Sequence, residues 1–364
     1  MARVFKAVFV LCALFCCLAL CGRPSGPSAL RLREPERVGD SEAALPAHLR
    51  LDGARVRLLG GVLDSAARKS PDAKISYVLV QGGEILLARD AFDGKLIPVG
   101  KASRPLLSLA LGALESRGMI DASLPASAYS PLFRLSDAAA EASVSLKDLC
   151  SMRAGVPEKA DALYEASRGP EAVFDAIRLA DLSPRGRRVE SGLSSSAAAY
   201  IAASRAYPEE KDLNAAYYAL LDAFVFKPLD ARGGLSAGAK FPPDRGVVTN
   251  MDGIAKWLVC ETDFGRGRGA AQVVSRDVLD SRYDLAPGEA HSASFSKMSL
   301  AGADFYASGD SFAKVSHIVL INRRTRTAFA VFAANSDPKP CMELALEFAR
   351  MLAEDVKSKG PRGG

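Results

Sequence analysis

The stretch from Val99 to Asp121, VGKASRPLLSLALGALESRGMID, decides how the rest of the chain is interpreted. It predicts one helix, because Pro105 suits a first helical turn and Gly118 suits the position just past a helix end. Leu recurs at almost every third or fourth place, with Ala and Ser between, so most of the circumference is covered. We therefore expect a helix buried on all sides, with two cations, Lys101 and Arg104, one turn apart at its start.

The first residues of the chain have the pattern of a targeting segment. A basic start precedes an apolar run from Ala7 to Leu20, which is too short to span a bilayer comfortably. The tetrapeptide that ends at Cys21 resembles a bacterial lipobox, which implies lipidation of Cys21 and a membrane-anchored lipoprotein facing the periplasm. A plain secretory signal, giving a secreted protein, is the competing interpretation. Residues 1–21 are thus predicted to be a signal peptide with lipobox, and residues 22–45 a linker rich in Pro, Gly, Ser and charge.

Composition and charge argue against several classes of function. Four of the seven cysteines lie before residue 22 and the other three show no CxxC spacing, so neither a disulfide framework nor a zinc site is expected. Three scattered histidines lack metal-ligand spacing, and no cofactor is predicted. The run GRGRG at 265–269 follows no clear strand and is interpreted as an exposed loop. A formal net charge of +5, part of it in the targeting segment, indicates no nucleic-acid partner.

Hydrophobic periodicity orders the body of the chain as helix and hairpin, a helical region, then hairpin and helix. Two β-rich runs flank Gly82 and Gly83, which is a strong hairpin signal. From residue 122 to 226 the pattern is helical. Runs over 317–321 and 328–332 form a second hairpin ahead of an amphipathic helix over 343–356. The predicted fold class is α/β: a mainly antiparallel sheet with strands from both ends of the chain, flanked by helices and carrying an inserted all-helical subdomain.

Five phrases in this order resemble the serine β-lactamase and penicillin-binding-protein superfamily, in its class C-like branch. They are Val99–Pro105 with Glu115–Asp121, Val144–Pro157, Pro228–Asp230, Gly246–Trp257 and Asn335–Ser336. The resemblance implies one domain over residues 46–355. Its α/β part would comprise residues 46–105 and 236–355, and its helical insert residues 106–235.

The resemblance also implies where catalysis would occur and that the reactive groups are missing. Enzymes of this class need a Ser at a helix start with a Lys one turn later, a second motif of the Tyr-x-Asn kind, and a Lys- or His-x-Gly strand motif. The equivalent positions hold Lys101 and Arg104, then Glu190 and Gly192, then Ala307 and Gly309. Arg cannot act as a base, since its pKa lies above about 12. The sequence therefore favours a β-lactamase-related protein that has lost catalysis.

Other side chains are weaker candidates for chemistry. Ser103 lies two residues past the implied nucleophile position and is the fallback nucleophile, although no Lys follows one turn later. Ser294 and Ser311 each begin an SxxK match, but neither is predicted to begin a buried helix. His317, in a predicted strand, is interpreted as structural rather than as a general base. A divergent active serine hydrolase (esterase, peptidase or β-lactamase-like) stays an open alternative.

The two cations at the helix start need a partner, because positive charge there is unfavourable against the helix dipole. Glu190 would supply the anion, so we expect an ion-pair cluster of Lys101, Arg104 and Glu190. In one interpretation these residues, with Ser308, bind a peptidoglycan peptide or another small anionic ligand. In another, the charges merely neutralise one another in a closed cleft. A third possibility is a scaffold of the cell envelope that does not use the cleft.

Overall fold

The computed structural model describes residues 44–164, 168–236, 238–285, 287–334 and 337–359. The predicted signal peptide with Cys21, most of the linker and Asn335–Ser336 lie outside the described residues. Within the described ranges, no helix combines the length and apolar content needed to cross a membrane.

The strands form two antiparallel sheets. In chain order they are β1 (Ser76–Gln81), β2 (Glu84–Arg89), β3 (Ile97–Pro98), β4 (Gly233–Leu235), β5 (Val247–Thr249), β6 (Ser296–Leu300), β7 (Ala303–Phe312), β8 (Val315–Asn322) and β9 (Thr327–Ala333). The large sheet has the order β2-β1-β9-β8-β7-β6, and the small one the order β3-β5-β4. Tyr77 of β1 pairs with Val331 of β9, which joins the first hairpin to the last. The predicted antiparallel sheet with strands from both ends of the chain is confirmed.

Helices cover both faces of the large sheet. They are α1 (Gly53–Lys69), α2 (Ser103–Glu115), α3 (Ala138–Glu141), α4 (Leu146–Cys150), α5 (Ala172–Arg178), α6 (Gly192–Ala206), α7 (Leu213–Leu221), α8 (Lys227–Leu229), α9 (Pro242–Arg245), α10 (Met251–Thr262), α11 (Arg276–Ser281) and α12 (Lys339–Ser358). One apolar cluster packs α1 and α12 against one face of the sheet. A larger cluster packs α2, α6, α7 and α10 against the other. The β-lactamase-like arrangement of helices around an antiparallel sheet agrees with the predicted fold class.

Helix α2 lies at the centre of the larger core. Every residue from Ser103 to Leu114 is buried, as predicted. The helix begins at Ser103, two residues before Pro105, because a 3-10 turn over Gly100–Ala102 leads directly into it. Pro105 is tolerated there, since N–H groups of a first helical turn have no partner within the helix. Gly118, just past the helix end, has a φ of +68°, where glycine is favoured.

Several elements differ from the sequence-based expectation. The helix expected within Val144–Pro157 is confined to α4, since Met152 adopts a left-handed φ of +60°. Strands β6 and β7 are rich in polar residues and lack clean alternation, so periodicity did not indicate them. The small sheet has strands of two or three residues, too short for a pattern. Helices α3 to α7 do lie between the two hairpins, but the exact boundaries proposed for the insert stay a prediction.

Candidate functional site

Three elements meet at the start of α2. The turn before α2 packs on β7, and the short helix α9 packs on both that turn and α2. Lys101 lies in the turn, and Arg104 lies in the first turn of the helix. The loop that leads into α6 brings Glu190 to the same place. The expected cluster is present, because Glu190 Oε2 lies 3.5 Å from Lys101 Nζ and 2.7 Å from Arg104 Nη1.

Arg104 is held by two carboxylates at once. Its Nε donates to Asp244 Oδ1 at 2.7 Å and its Nη2 to Asp244 Oδ2 at 3.3 Å, a forked contact, while Nη1 donates to Glu190. Burial opposes the charged form, but Asp244 and then Glu190 outweigh it and raise the pKa of Arg104 above its ordinary value. The guanidinium is therefore a fixed charge on a buried side chain, with no capacity to accept a proton.

Glu190 is shared among three cations. Besides Lys101 and Arg104, it accepts a hydrogen bond from Arg188 Nη2 at 2.8 Å. Burial favours the neutral form, but the charges and hydrogen bonds of Arg104 and Arg188 hold the pKa of Glu190 well below its usual range. The group is ionised at any pH at which the protein is expected to work. Glu190 occupies the position that the resemblance assigns to the Tyr of the second motif, and it carries a negative charge there.

The sequence did not reveal Asp244. It lies in α9 and is almost fully buried; besides Arg104 it accepts a hydrogen bond from Ser195 at 2.7 Å. Its neighbour Arg245 places Nε 3.5 Å from Asp244 Oδ2 and 3.5 Å from Asp310 Oδ2 of β7. The only local signal was a Pro-Pro-Asp-Arg run ahead of Gly246. Such a turn shows no periodicity that would direct its acid toward a helix 140 residues away in the chain.

The second motif is built as a capped helix start. Asp161 accepts hydrogen bonds from the Ser191 hydroxyl at 2.7 Å and from the Gly192 N–H at 2.8 Å. A Cβ added to Gly192 would lie 2.4 Å from the ring of Phe241, so the ring rests directly on this glycine. Gly192, at the position implied for Asn, therefore contributes only its N–H, and Asp161 already uses it.

On strand β7, Phe312 lines the cleft, whereas Ser308 was expected to do so. Ala307 faces the core under α12, and Ser308 is buried and does not line the cavity described below. Phe312 lies on the same face as Ser308 because side chains alternate along a strand, and it does line the cavity. Ser308 thus lies outside the lining of this cavity, and its contact with a ligand stays a prediction. Gly309 supplies no side chain.

Ser103 is not available as a nucleophile. Its side chain is fully buried, and Oγ accepts a hydrogen bond from the Val247 N–H at 3.1 Å, which ties α2 to β5. Ser294 precedes β6 and Ser311 lies within β7, so neither begins a helix. The fallback assignment of Ser103 is thus corrected: the helix begins early enough to turn this side chain inward.

The surroundings of the buried His317 fit a structural role. Its ring stacks on Phe332 with centroids 5.1 Å apart, and neither ring nitrogen finds a hydrogen-bond partner among the described residues. Burial lowers the pKa of His317 to about 3. The described part of the chain holds no group of three His, Cys, Asp or Glu residues placed to bind a metal.

A cavity of 370 Å³ opens over the cluster. Its lining combines cations, acids and two aromatic rings: Lys101, Arg104, Lys240, Arg245, Glu158, Asp161, Glu190, Asp244, Phe241 and Phe312, with Ser191, Gly192 and Ala239. The ion pairs therefore do not close the cleft. Among the described residues, Lys101 and Arg245 touch acids only at 3.5 Å and make no hydrogen bond to them. These two cations are therefore able to receive an anion, as is Lys240, whose Nζ donates to the backbone carbonyl of Asp161.

No protein-family model matches the chain, and no curated protein matches it in sequence. Solved structures do match, and together they show that the chain has the fold of the serine β-lactamase and penicillin-binding-protein superfamily. With identities of 12 to 14% to the three neighbours described next, the similarity defines the fold and leaves the activity to the site.

Three neighbours represent the match. A class C β-lactamase from Rhodobacter sphaeroides is 12% identical, with 82% of this chain and 98% of that one covered at a TM-score of 0.61. A D-amino acid amidase from Ochrobactrum anthropi, complexed with D-phenylalanine, is 14% identical, with 84% and 99% covered at 0.63. An octameric penicillin-binding protein homologue from Pyrococcus abyssi is 14% identical, with 82% and 79% covered at 0.61.

Proposed function

We propose that this chain is an exported, lipid-anchored protein of β-lactamase fold that has lost serine hydrolase activity and binds a small carboxylate ligand in the former catalytic cleft. One observation supports this most: at the start of α2, the implied positions of nucleophile and base hold Lys101 and Arg104, and both are paired with Glu190.

The loss of hydrolysis follows from what each group is able to do. An acyl-transfer enzyme needs a nucleophile whose proton a neighbouring base removes. Arg104 is permanently charged and forked onto Asp244, so it accepts no proton. Glu190 is ionised and saturated with cations. Ser103, the fallback nucleophile, is buried and accepts a hydrogen bond from the Val247 N–H. Ser191, the serine in the cavity lining, is buried, and its hydroxyl donates to Asp161, which also accepts the Gly192 N–H, so this pair is used to cap the start of α6.

Ligand binding is supported by two cations, Lys101 and Arg245, that make no hydrogen bond to the described acids beside them. A carboxylate that approaches Lys101 and Arg245 would gain charge-assisted hydrogen bonds that their 3.5 Å contacts with Glu190, Asp244 and Asp310 do not provide. Phe241 and Phe312 supply apolar surface beside them. The amidase of this fold was solved with D-phenylalanine, an amino acid with a free carboxylate. Peptides of cell-wall origin carry the same group.

Export and anchoring are supported by the N-terminal sequence alone. A basic start, an apolar run from Ala7 to Leu20 and the lipobox-like end at Cys21 are typical of bacterial lipoproteins. The Cys21→Ser variant should lose incorporation of a labelled fatty acid in a bacterial host, whereas Cys150→Ser should keep it, because Cys150 is buried in the folded domain. Equal labelling of the Cys21→Ser variant and the natural chain would refute Cys21 as the site of lipidation, and no labelling of the natural chain would refute the anchor.

Calorimetric titration with D-phenylalanine and with D-alanyl-D-alanine tests the ligand proposal. The Lys101→Met variant should bind at least about tenfold more weakly, since a hydrogen bond to a charged group is worth about 1.5–3 kcal/mol. Lys297→Met is the matched control, because Lys297 lies on β6, is partly exposed and does not line the cavity. Absence of binding by either probe, or equal affinity in the Lys101→Met variant, would overturn the proposal.

A further inference from the structure

A cluster of arginines lies beside the turn between β8 and β9. The ring of Phe264 lies between two guanidinium groups, with Arg276 at 4.4 Å and Arg326 at 4.2 Å from its centroid. Arg266 and Arg326 share the carboxylate of Asp263, at 2.8 Å and 3.0 Å. Burial is the main cause that lowers the pKa of Arg326. The charge of Asp263 raises this pKa, and the charges of the neighbouring arginines lower it further. The guanidinium groups are therefore close enough to repel one another.

The cluster continues over the surface on both sides. Arg323 lies 4.5 Å from the centroid of Tyr283 and pairs with Asp280, and Arg324 in the same turn is exposed. On the other side, Arg50 is exposed and lines a cavity of 400 Å³ together with Arg266. We call this set the arginine surface: Arg50, Arg266, Arg276, Arg323, Arg324 and Arg326.

The arginine surface carries an excess of positive charge that its own acids do not balance. Asp263 and Asp280 pair within it, and Glu84 lines the same cavity as Arg50 and Arg266. Among the described residues, six arginines thus stand with four carboxylates, since Asp277 is exposed next to Arg276. Arg326 is buried and Arg266 is largely buried, so Arg50, Arg276 and Arg324 are the exposed cations of the set.

The first described residues of the chain lie next to the arginine surface. Ala44 and Leu45 line the cavity that contains Arg50 and Arg266. Leu45 lies over Gly82, since a Cβ added there would be 3.2 Å from Leu45 Cβ, and the Gly82 N–H donates to the Arg326 carbonyl at 2.8 Å. The 43 residues that precede Ala44, with their apolar run and Cys21, therefore join the domain at the edge of the arginine surface.

We propose that the arginine surface docks on the anionic phospholipid headgroups of the membrane to which the N-terminal segment anchors the chain. Guanidinium groups bind phosphate oxygens in a forked geometry, which suits a dense layer of phosphates. A single lipid chain holds a protein only weakly and reversibly, and a basic surface is a second signal that makes the attachment stable. The inference is independent of the cleft ligand, but it rests on the anchoring part of the proposed function.

Sedimentation of the whole chain with vesicles tests the proposal. Neutral phosphatidylcholine vesicles report attachment through the N-terminal segment, and vesicles that also contain phosphatidylglycerol report the added effect of the arginines. The natural chain should partition more strongly onto the anionic vesicles, and added salt should reduce that preference. In the Arg50→Gln, Arg276→Gln, Arg324→Gln triple variant the preference should fall by about fivefold for each arginine, whereas attachment to neutral vesicles should be unchanged.

A matched triple variant separates this surface from overall charge. Arg134→Gln, Arg178→Gln and Arg205→Gln remove three exposed arginines from the helical region and should leave the preference intact. If the first triple variant fails to fold, the charge reversal Arg324→Glu replaces it, because that exposed side chain contacts no described acid. An unchanged preference in these variants would overturn the proposal, as would equal partitioning of the natural chain onto both vesicles. Arginine-dependent binding to a soluble polyanion such as heparin, without any preference for anionic vesicles, would also overturn it. Loss of neutral-vesicle attachment alone would count against the anchor and not against the surface.

Discussion

At the scale of single residues, Arg104 explains why the cleft has its present form. A guanidinium removed from water is costly unless its charge and its N–H groups are matched. Asp244 and Glu190 meet that need with three hydrogen bonds, and Ser195 completes the environment of Asp244. The cluster is therefore self-consistent without any ligand, and Lys101 is left as its least constrained member.

Removal of one charged partner from this cluster should lower the free energy of unfolding by a large amount. Asp244→Asn should lower the free energy of unfolding by about 3–5 kcal/mol, because it leaves the charge of Arg104 buried without the carboxylate that accepts two of its three hydrogen bonds to acids. Urea unfolding followed by circular dichroism measures the change. Asp252→Asn is the control, since the Asp252–Lys256 pair is exposed and should contribute less than about 1 kcal/mol. Equal losses in the two variants would show that the buried pair has no special role.

His317 should make stability depend on pH in a predictable direction. Burial lowers its pKa to about 3, whereas in the unfolded chain the imidazole has a pKa of about 6.5. Below about pH 6.5 the unfolded chain takes up a proton that the folded chain does not. The stability due to the neutral imidazole is thus fully present above that pH. It declines by about 1 kcal/mol per pH unit as the pH falls toward 3.

Unfolding free energies measured between pH 7 and pH 4 test this dependence. His317→Phe should remove that part of the pH slope, and His48→Phe should leave it intact, because His48 is exposed. An identical slope in the natural chain and in His317→Phe would contradict the assignment of a buried neutral imidazole.

Some residues of the site could be predicted from the sequence, and others could not. The sequence predicted that Lys101, Arg104 and Glu190 lie together, because the order of the motifs places the helix start and the second motif at one cleft. Asp244 was not predicted to belong to the site, since an acid in a short turn gives no signal of a partner far away in the chain. Phe312 was not predicted to line the cavity, because a resemblance in sequence does not state which strand residues border the open part of a cleft.

At the scale of elements, the strongest periodicity gave the most accurate prediction. The Leu-rich run of α2 is buried as expected, and the β8–β9 hairpin follows its two apolar runs. Strands β6 and β7 were missed because a strand near the edge of a sheet, half exposed, needs few apolar residues. Their positions depend on pairing with β8, a long-range interaction that a local pattern does not contain.

The central role of α2 predicts a large cost for truncating its side chains. Leu107 is fully buried, so Leu107→Ala should lower the free energy of unfolding by about 2–5 kcal/mol. Leu124→Ala is a matched control, because Leu124 is 45% exposed and should cost less than about 1 kcal/mol. Chemical denaturation of both variants decides the point. A loss of similar size at the two positions would mean that α2 does not organise the core.

At the scale of the whole molecule, the fold of a hydrolase family is present with a cleft of different chemistry. The sheet, the surrounding helices and the cavity at the start of α2 are those expected for the superfamily. Cations and acids line the cavity, among them the residues at the positions that the resemblance assigns to the nucleophile, the base and the proton relay. The overall architecture was predictable because hydrophobic patterns and motif order determine it. The charge balance of the cleft was not, since it depends on side chains from α9 and from the loop before α6.

The most direct test of this account is the intact mass of the protein after incubation with a fluorescent penicillin and, separately, with a fluorophosphonate. We expect no increase in mass with either reagent, because the implied positions of nucleophile and base hold Lys101 and Arg104, and Ser103 beside them is buried. A stoichiometric adduct on the natural chain, abolished by a single Ser→Ala substitution at the labelled position, would contradict the account and show that the cleft still performs acyl transfer.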